Sequence, residues 1–228
     1  MTDFLTTRRL AVAGSIGPVL FVFVVILVTA LEWDFLHRLG WGLPHGTRPV
    51  VYPSATAMGP YGWLQVLNFF QFGLAVIATG VGMWRTVVPR PRVALAFVFL
   101  GGIALLLSTF ITDGTGGAPT TWHGKIHAIA FLLLVASTIL GPLVLALQVR
   151  NNRHWRAVGF ISVAVPAVII VTQFTPLPSP RSYEWLVPVV NYGSLLVMFA
   201  WFELLALRLL ALTLEHGPGR TSGTGQEK

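Results

Sequence analysis

The sequence contains no cysteine. That excludes a disulfide framework, a thiolate metal site and a cysteine nucleophile, and it leaves the redox compartment unreadable. Charge is also scarce: 10% of the residues are Asp, Glu, Lys or Arg, against roughly 25% in an ordinary soluble domain. No phosphate-binding loop is present, because Gly124-Lys125 is followed by Ile126 and position 119 is proline, where such a loop requires G-x-x-x-x-G-K-[ST]. Nor is there an internal repeat, since no motif of the first half of the chain comes into register with the second half. A transporter built from duplicated halves loses support accordingly.

What the chain has in abundance is apolar sequence, 54% of its 228 residues. A bilayer core takes about 20 apolar residues per helix. Six segments meet that requirement, approximately 11–31, 63–84, 93–112, 127–147, 157–174 and 186–207. The first is longer than the apolar segment of a signal peptide, so a retained anchor is expected. Pro166 lies within the fifth segment and should kink it. The expected fold is all-α, a single bundle of six transmembrane helices over residues 1–211, with a polar, disordered tail at 212–228.

The formal charge of +7 would raise the question of nucleic acid in a soluble protein. Here the basic residues lie in short clusters beside the ends of apolar runs, the pattern that orients membrane proteins, and nucleic-acid binding is not expected. With the N-terminus cytoplasmic, the inner side collects Arg8, Arg9, Arg85, Arg90, Arg92, Arg150, Arg153, Arg156, Arg208, Arg220 and Lys228. Only Arg38, Arg48, Lys125 and Arg181 remain outside. Both termini are therefore expected in the cytoplasm of a multi-pass cell-membrane protein. Trp33, Trp63, Trp84, Trp122, Trp155 and Trp185 fall near span ends, as interfacial anchors do.

Polarity gathers toward the expected outer face. The loop 32–62 holds Glu32, Asp34, His37, Arg38, His45, Arg48, Tyr52 and Ser54, and its apolar content suggests a segment packed on the bundle. The second loop and the helix after it read FITDGTGGAPTTWHGKIHAIAF, residues 110–131. His123 and His127 are spaced i, i+4 and would share a helix face, with Asp113 as a third metal ligand. Gly124 stands where a zincin helix places its glutamate base, and Lys125 disfavours a cation. The same residues also read as a capped turn with Thr120 or Thr121 as N-cap. On the second span Gln65, Asn68 and Gln71 recur every three residues, as interhelical hydrogen-bonding groups or as cavity lining. Asn191 and Gln173 share their outer-half bias. Glu203 is the one acid well inside a span, a proton-relay candidate.

The runs YPSATAMGPYGWLQVLNFFQFGLAV, FITDGTGGAPTTWHGKIHAIAF and WFELLALRLL resemble the bacterial six-span family catalogued as domain of unknown function 998. The likeness covers roughly residues 10–211, and its motif positions fall on Ser54, Asp113, Gly124 and His127. Ile111 stands where the family pattern has proline, and His123 lies outside that pattern. The resemblance implies the fold and names no chemistry. A more distant analogy reaches the zinc-dependent membrane hydrolases of the alkaline ceramidase and progestin-receptor-like group, which use more histidines than this chain offers.

Three functions stay open. The first is binding of a lipid, small ligand or partner through Ser54, Gln65, Asn68, Asp113 and His127. The second is metal-dependent hydrolysis by Asp113, His123 and His127. The third is proton-coupled transport through Glu203. No residue pattern specifies a cofactor. The sharpest expectation is that Asp113 and His127 pair across neighbouring helices, with Ser54 or Asn68 nearby and His123 turned toward the interface.

Overall fold

A computed structural model describes residues 2–39, 52–114, 118–174 and 186–215, with side chains for 6–39, 52–114, 118–172 and 192–215. His45, Arg48, Arg181, Arg220, Lys228, the side chains of Gln173 and Asn191, and the tail beyond Glu215 lie outside these residues. All regular structure among the described residues is helical. The helices are α1 (Thr2–Leu31), α2 (Trp33–Leu39), α3 (Gly62–Thr86), α4 (Arg92–Leu107), α5 (Trp122–Val149), α6 (Arg156–Ser162), α7 (Ala164–Phe174) and α8 (Leu186–Glu215). A 3-10 turn, Pro53–Met58, precedes α3.

Four stretches are long and apolar enough to cross a membrane, Thr6–Leu31, Gly62–Thr86, Trp122–Val149 and Tyr192–Glu215. The protein is thus a multi-pass membrane protein, and helices follow because lipid offers no partner for an unpaired backbone group. The remaining two apolar elements are shorter. At 16 residues, α4 is about 24 Å long at 1.5 Å per residue. It stops at Leu107, five residues before the expected end of its span at 112. There the Ser108 and Thr109 hydroxyls donate to the carbonyls of Ala104 and Leu106 at 2.9 and 2.7 Å.

The fifth apolar segment is broken, but at Val163, between α6 and α7. Pro166 then falls in the first turn of α7, where its missing N–H has no intrahelical acceptor to lose. The break moves one turn upstream of the proline that causes it.

The helices pack as a closed ring. α1 lies along α3, α3 along α4, α4 along α5, and α5 along α6 and α7; α8 closes the ring against α7 and α1 and also touches α3. Where α1, α3 and α8 meet, the Phe21 ring stands 5.4 Å from Phe69, 5.0 Å from Phe72 and 4.9 Å from Phe199. These aromatic contacts fill the centre, with Trp201, Phe202 and Met198 buried beside them.

The most extensive seam is α1 against α3. A Cβ at Gly14 would overlap the Thr79 hydroxyl, and one at Gly17 would overlap Ala75. Small residues let the two backbones approach, and short amide side chains then reach across. Asn68 Nδ2 donates to the Phe21 carbonyl at 3.0 Å, and Gln71 Nε2 to the Gly17 carbonyl at 3.2 Å. Glu32, just past α1, accepts the Tyr61 N–H at 2.6 Å and so satisfies a donor at the start of α3. Its side chain is buried, and desolvation raises the Glu32 pKa while the Tyr61 bond opposes the rise.

This seam makes two glycine substitutions differ in sign. Gly193 on α8 has open space around a built Cβ among the described residues, so Gly193→Ala should stabilise its helix by up to about 1 kcal/mol. Gly17→Ala should instead cost about 1–3 kcal/mol through overpacking. Thermal unfolding of the two variants in one detergent checks this, and equal shifts would contradict the seam.

Candidate functional site

The connection from α4 to α5 and the start of α5 carry three of the polar residues singled out by the sequence, Asp113, His123 and His127. Because α4 ends early, the carbonyls of Phe110 and Ile111 have no helical partner, and two histidines of α5 supply one each. His123 Nδ1 lies 2.7 Å from the Ile111 carbonyl, and His127 Nδ1 lies 2.7 Å from the Phe110 carbonyl. A carbonyl only accepts, so each Nδ1 carries the proton. The His127 ring makes a further hydrogen bond to the Ser108 backbone.

Asp113 does not pair with His127. One Asp113 oxygen accepts the Thr120 and Thr121 N–H groups at 2.7 and 2.8 Å, and the other accepts the Thr121 hydroxyl. Thr121 is the N-cap of α5 and receives the Gly124 N–H at 3.1 Å. His123, expected to turn away, lies instead with its Nδ1 3.6 Å from the Asp113 carboxylate. The cause is depth. Asp113 sits level with the first turn of α5, whereas His127 lies more than a turn further along. Gly124 is required because a Cβ there would enter the Asp113 carboxylate. Hydrogen bonds from Thr121, first the hydroxyl and then the backbone, hold the Asp113 pKa below its ordinary value, with Thr120 and His123 adding to the effect.

The metal triad is not assembled. Asp113 and His123 are neighbours, but His127 is directed at Phe110, and no group of three potential ligand side chains comes together among the described residues. The Thr121 hydroxyl lies 3.1 Å from His123 Nδ1, yet that nitrogen already donates to Ile111 and cannot serve as a base toward the threonine.

His127 and Ser54 both line a cavity of about 350 Å³. This is within the roughly 300–1,000 Å³ typical of small-molecule sites. Its deep wall is apolar, made by Phe21, Phe69, Phe131, Leu134, Leu195 and Phe199; Tyr52, Ser54, Ser108, Thr112 and His127 supply polar atoms toward the loops. Burial pushes the Tyr52 phenol up, so at neutral pH it is a neutral hydrogen-bonding group. Tyr52, Ser108 and Thr112 were not among the residues singled out as ligand-binding. The signal for the last two would have been their place in the hinge that α4 leaves unwound.

Gln65 and Asn68 lie outside this wall. Asn68 belongs to the α1–α3 seam and also donates to Gln65 Oε1 at 3.4 Å. Gln65 is fully buried, and its Nε2 has no hydrogen-bond partner among the described residues. Glu203 lies four residues beyond Phe199 on α8, one turn deeper than the cavity wall, with Oε2 buried and unpartnered among the described residues. Arg208 is not its partner, since that guanidinium bonds the His154 carbonyl at 2.7 Å and Glu215 at 3.4 Å.

The family described as "Protein of unknown function (DUF998)" matches residues 15–212, from within α1 almost to the end of α8. The chain belongs to this family. No curated protein and no solved structure matches the chain. The four positions that carry the DUF998 resemblance divide into two structural pairs. Asp113 and Gly124 form the cap of α5, and Ser54 and His127 share the cavity.

The cap predicts a specific coupling. Asp113→Ala and Thr121→Ala both remove the bond from the Thr121 hydroxyl to the Asp113 carboxylate, so the double variant should lose less thermal stability than the two singles summed. Asp113→Ala and His127→Gln should add. Because the folded Asp113 pKa is depressed, its stabilisation is present above the unfolded carboxyl value of about 4 and is lost as pH falls through the folded value. A double-mutant cycle followed by thermal unfolding at neutral pH tests the coupling, and full additivity of Asp113 with Thr121 would refute it.

Proposed function

We propose that this protein is a six-span membrane protein with both termini cytoplasmic that binds a small amphiphile, a lipid or a lipid-like molecule, in the cavity below its outer face. The observation that carries this reading is the cavity itself, apolar at depth and polar toward the loops. An apolar portion would occupy the space between Phe21, Leu134 and Phe199. A hydroxyl or carbonyl group would meet Tyr52, Ser54, Ser108 and the His127 ring. Of the five residues expected to bind ligand, Ser54 and His127 would make contact, while Asp113 would hold the wall in place and Gln65 and Asn68 would fix α1 against α3.

Six crossings are supported by the ring, in which α4 and the α6–α7 pair occupy positions equivalent to those of the longer helices. The orientation is supported by charge. Arg85, Arg90 and Arg153 gather at one end, while the other end carries Asp113 and the cavity. The absence of native cysteine makes this directly testable. Val88→Cys and Ala118→Cys both lie at exposed positions, and an impermeant thiol reagent applied to intact cells should label position 118 alone. Labelling of position 88 alone would invert the topology.

Ligand occupancy is tested by filling the cavity. Ala128 and Leu195 line it, so Ala128→Phe and Leu195→Trp should remove a co-purifying amphiphile seen by native mass spectrometry of the wild-type protein. A protein that carries no adduct, or variants that keep it, would overturn the binding reading. Proton-coupled transport through Glu203 is the second reading, supported by its buried, unpartnered oxygen. It ranks lower because Phe72 packs edge-on against Phe199 and Phe202 on the same stretch of α8.

A further inference from the structure

The end of the bundle opposite to the cavity described above carries a second and larger concavity, of about 1,000 Å³, formed by the ends of α3 and α8, the start of α1 and the turn between α5 and α6. We infer that this concavity binds a phosphate-bearing anion, the headgroup of an anionic membrane lipid. The inference concerns a different site from the amphiphile cavity and does not depend on it.

Charge provides the first argument. Arg85 lines the concavity, is exposed, and makes no hydrogen bond or ion pair among the described residues. Arg90 also lines it and is held in place. Its Nε donates to the Trp84 carbonyl at 3.0 Å, and its guanidinium stacks 5.4 Å from the centre of the Trp84 ring. The terminal nitrogens of Arg90 remain for an acceptor, and a guanidinium presents them in the fork that matches a phosphate. Of the acids at this end, Asp3 lies before the described side chains and Glu215 is taken by Arg208 at 3.4 Å.

Construction provides the second argument. Asn152 Nδ2 donates to the Val88 carbonyl at 3.2 Å, which ties the α3–α4 turn to the α5–α6 turn. The Asn152 side-chain oxygen accepts the His154 N–H at 3.0 Å, and Arg208 Nε donates to the His154 carbonyl at 2.7 Å. Three separate segments are thereby locked around the concavity before any ligand arrives. That rigidity lowers the ordering cost of binding.

Position distinguishes a lipid from a dissolved anion. Trp84 is 44% exposed and Val88 74% exposed, so apolar surface borders the arginines at the ends of membrane-crossing helices. Val81 and Leu212 continue the apolar wall toward the span. A phosphate at the arginines would place its glycerol and acyl portions against this wall, and basic pockets between helices at the cytoplasmic face suit such headgroups.

The test uses the full chain purified in an uncharged detergent. It is titrated separately with short-chain phosphatidylglycerol, short-chain phosphatidylcholine and inorganic phosphate, and the unfolding temperature is followed. Phosphatidylglycerol should raise that temperature saturably, while phosphatidylcholine should not. Inorganic phosphate that reproduces the shift would keep the site but assign it to a free anion. The double variant Arg85→Gln/Arg90→Gln should weaken the phosphatidylglycerol midpoint by about tenfold or more, as expected for the loss of two interfacial arginines. Arg38→Gln, on α2 at the opposite end, should leave it unchanged. Should the double variant fail to fold, Arg85→Gln alone removes no internal bond and should weaken the midpoint several-fold. Equal stabilisation by phosphatidylcholine, or an unchanged midpoint in the arginine variants, would overturn the site.

Discussion

The close approach of α1 to α3 is the contact on which the remaining structure depends. In hydrocarbon, a side-chain amide without a partner costs several kcal/mol, and Asn68 and Gln71 avoid that cost by donating to backbone carbonyls of α1. They reach those carbonyls only because glycine at 14 and 17 lets the helices come together. The register fixed in this way sets Phe21 against Phe69, Phe72 and Phe199. Phe21, Phe69 and Phe199 also form the deep wall of the cavity, so one hydrogen-bonded seam determines where the open space lies.

At the α4–α5 connection the governing constraint is backbone accounting. A non-helical segment near the membrane must have its polar groups satisfied by protein or by a water-filled cavity. Here His123 and His127 take the carbonyls of Ile111 and Phe110, and Asp113 takes the N–H groups of Thr120 and Thr121. An acid and two histidines, which in sequence suggest a metal or a catalytic centre, are largely consumed by this task. Of the three, the His127 ring also lies on the cavity wall, with Ser54 and Ser108.

The positions of the helices were legible because composition over some 20 residues is a strong signal, and the long helices α1, α3, α5 and α8 contain their expected spans. The boundaries of α4 were not. Ser108 to Thr112 reads STFIT, apolar enough to extend a span, and only the back-bonding of Ser108 and Thr109 shows that the helix has ended. The i, i+4 spacing of His123 and His127 correctly implied a shared face, since both meet carbonyls of the same segment. It could not reveal depth along the helix, and depth decides that Asp113 meets His123. Ser54 and His127, far apart in sequence, reach one cavity through tertiary packing that no local pattern encodes.

The distribution of polar groups along the membrane axis bears on mechanism. Ser54, Ser108 and His127 lie toward one end of the ring, and Arg85, Arg90 and Asn152 lie at the other. Between them Phe72 packs edge-on against Phe199 and Phe202, with ring centres 5.1 and 6.2 Å apart. A conduit requires polar groups or water to replace hydration along its whole length. The two polar ends are instead separated by an aromatic centre in which Glu203 has no described hydrogen-bond partner for Oε2. This separation is why transport through Glu203 stands second of the two proposed readings.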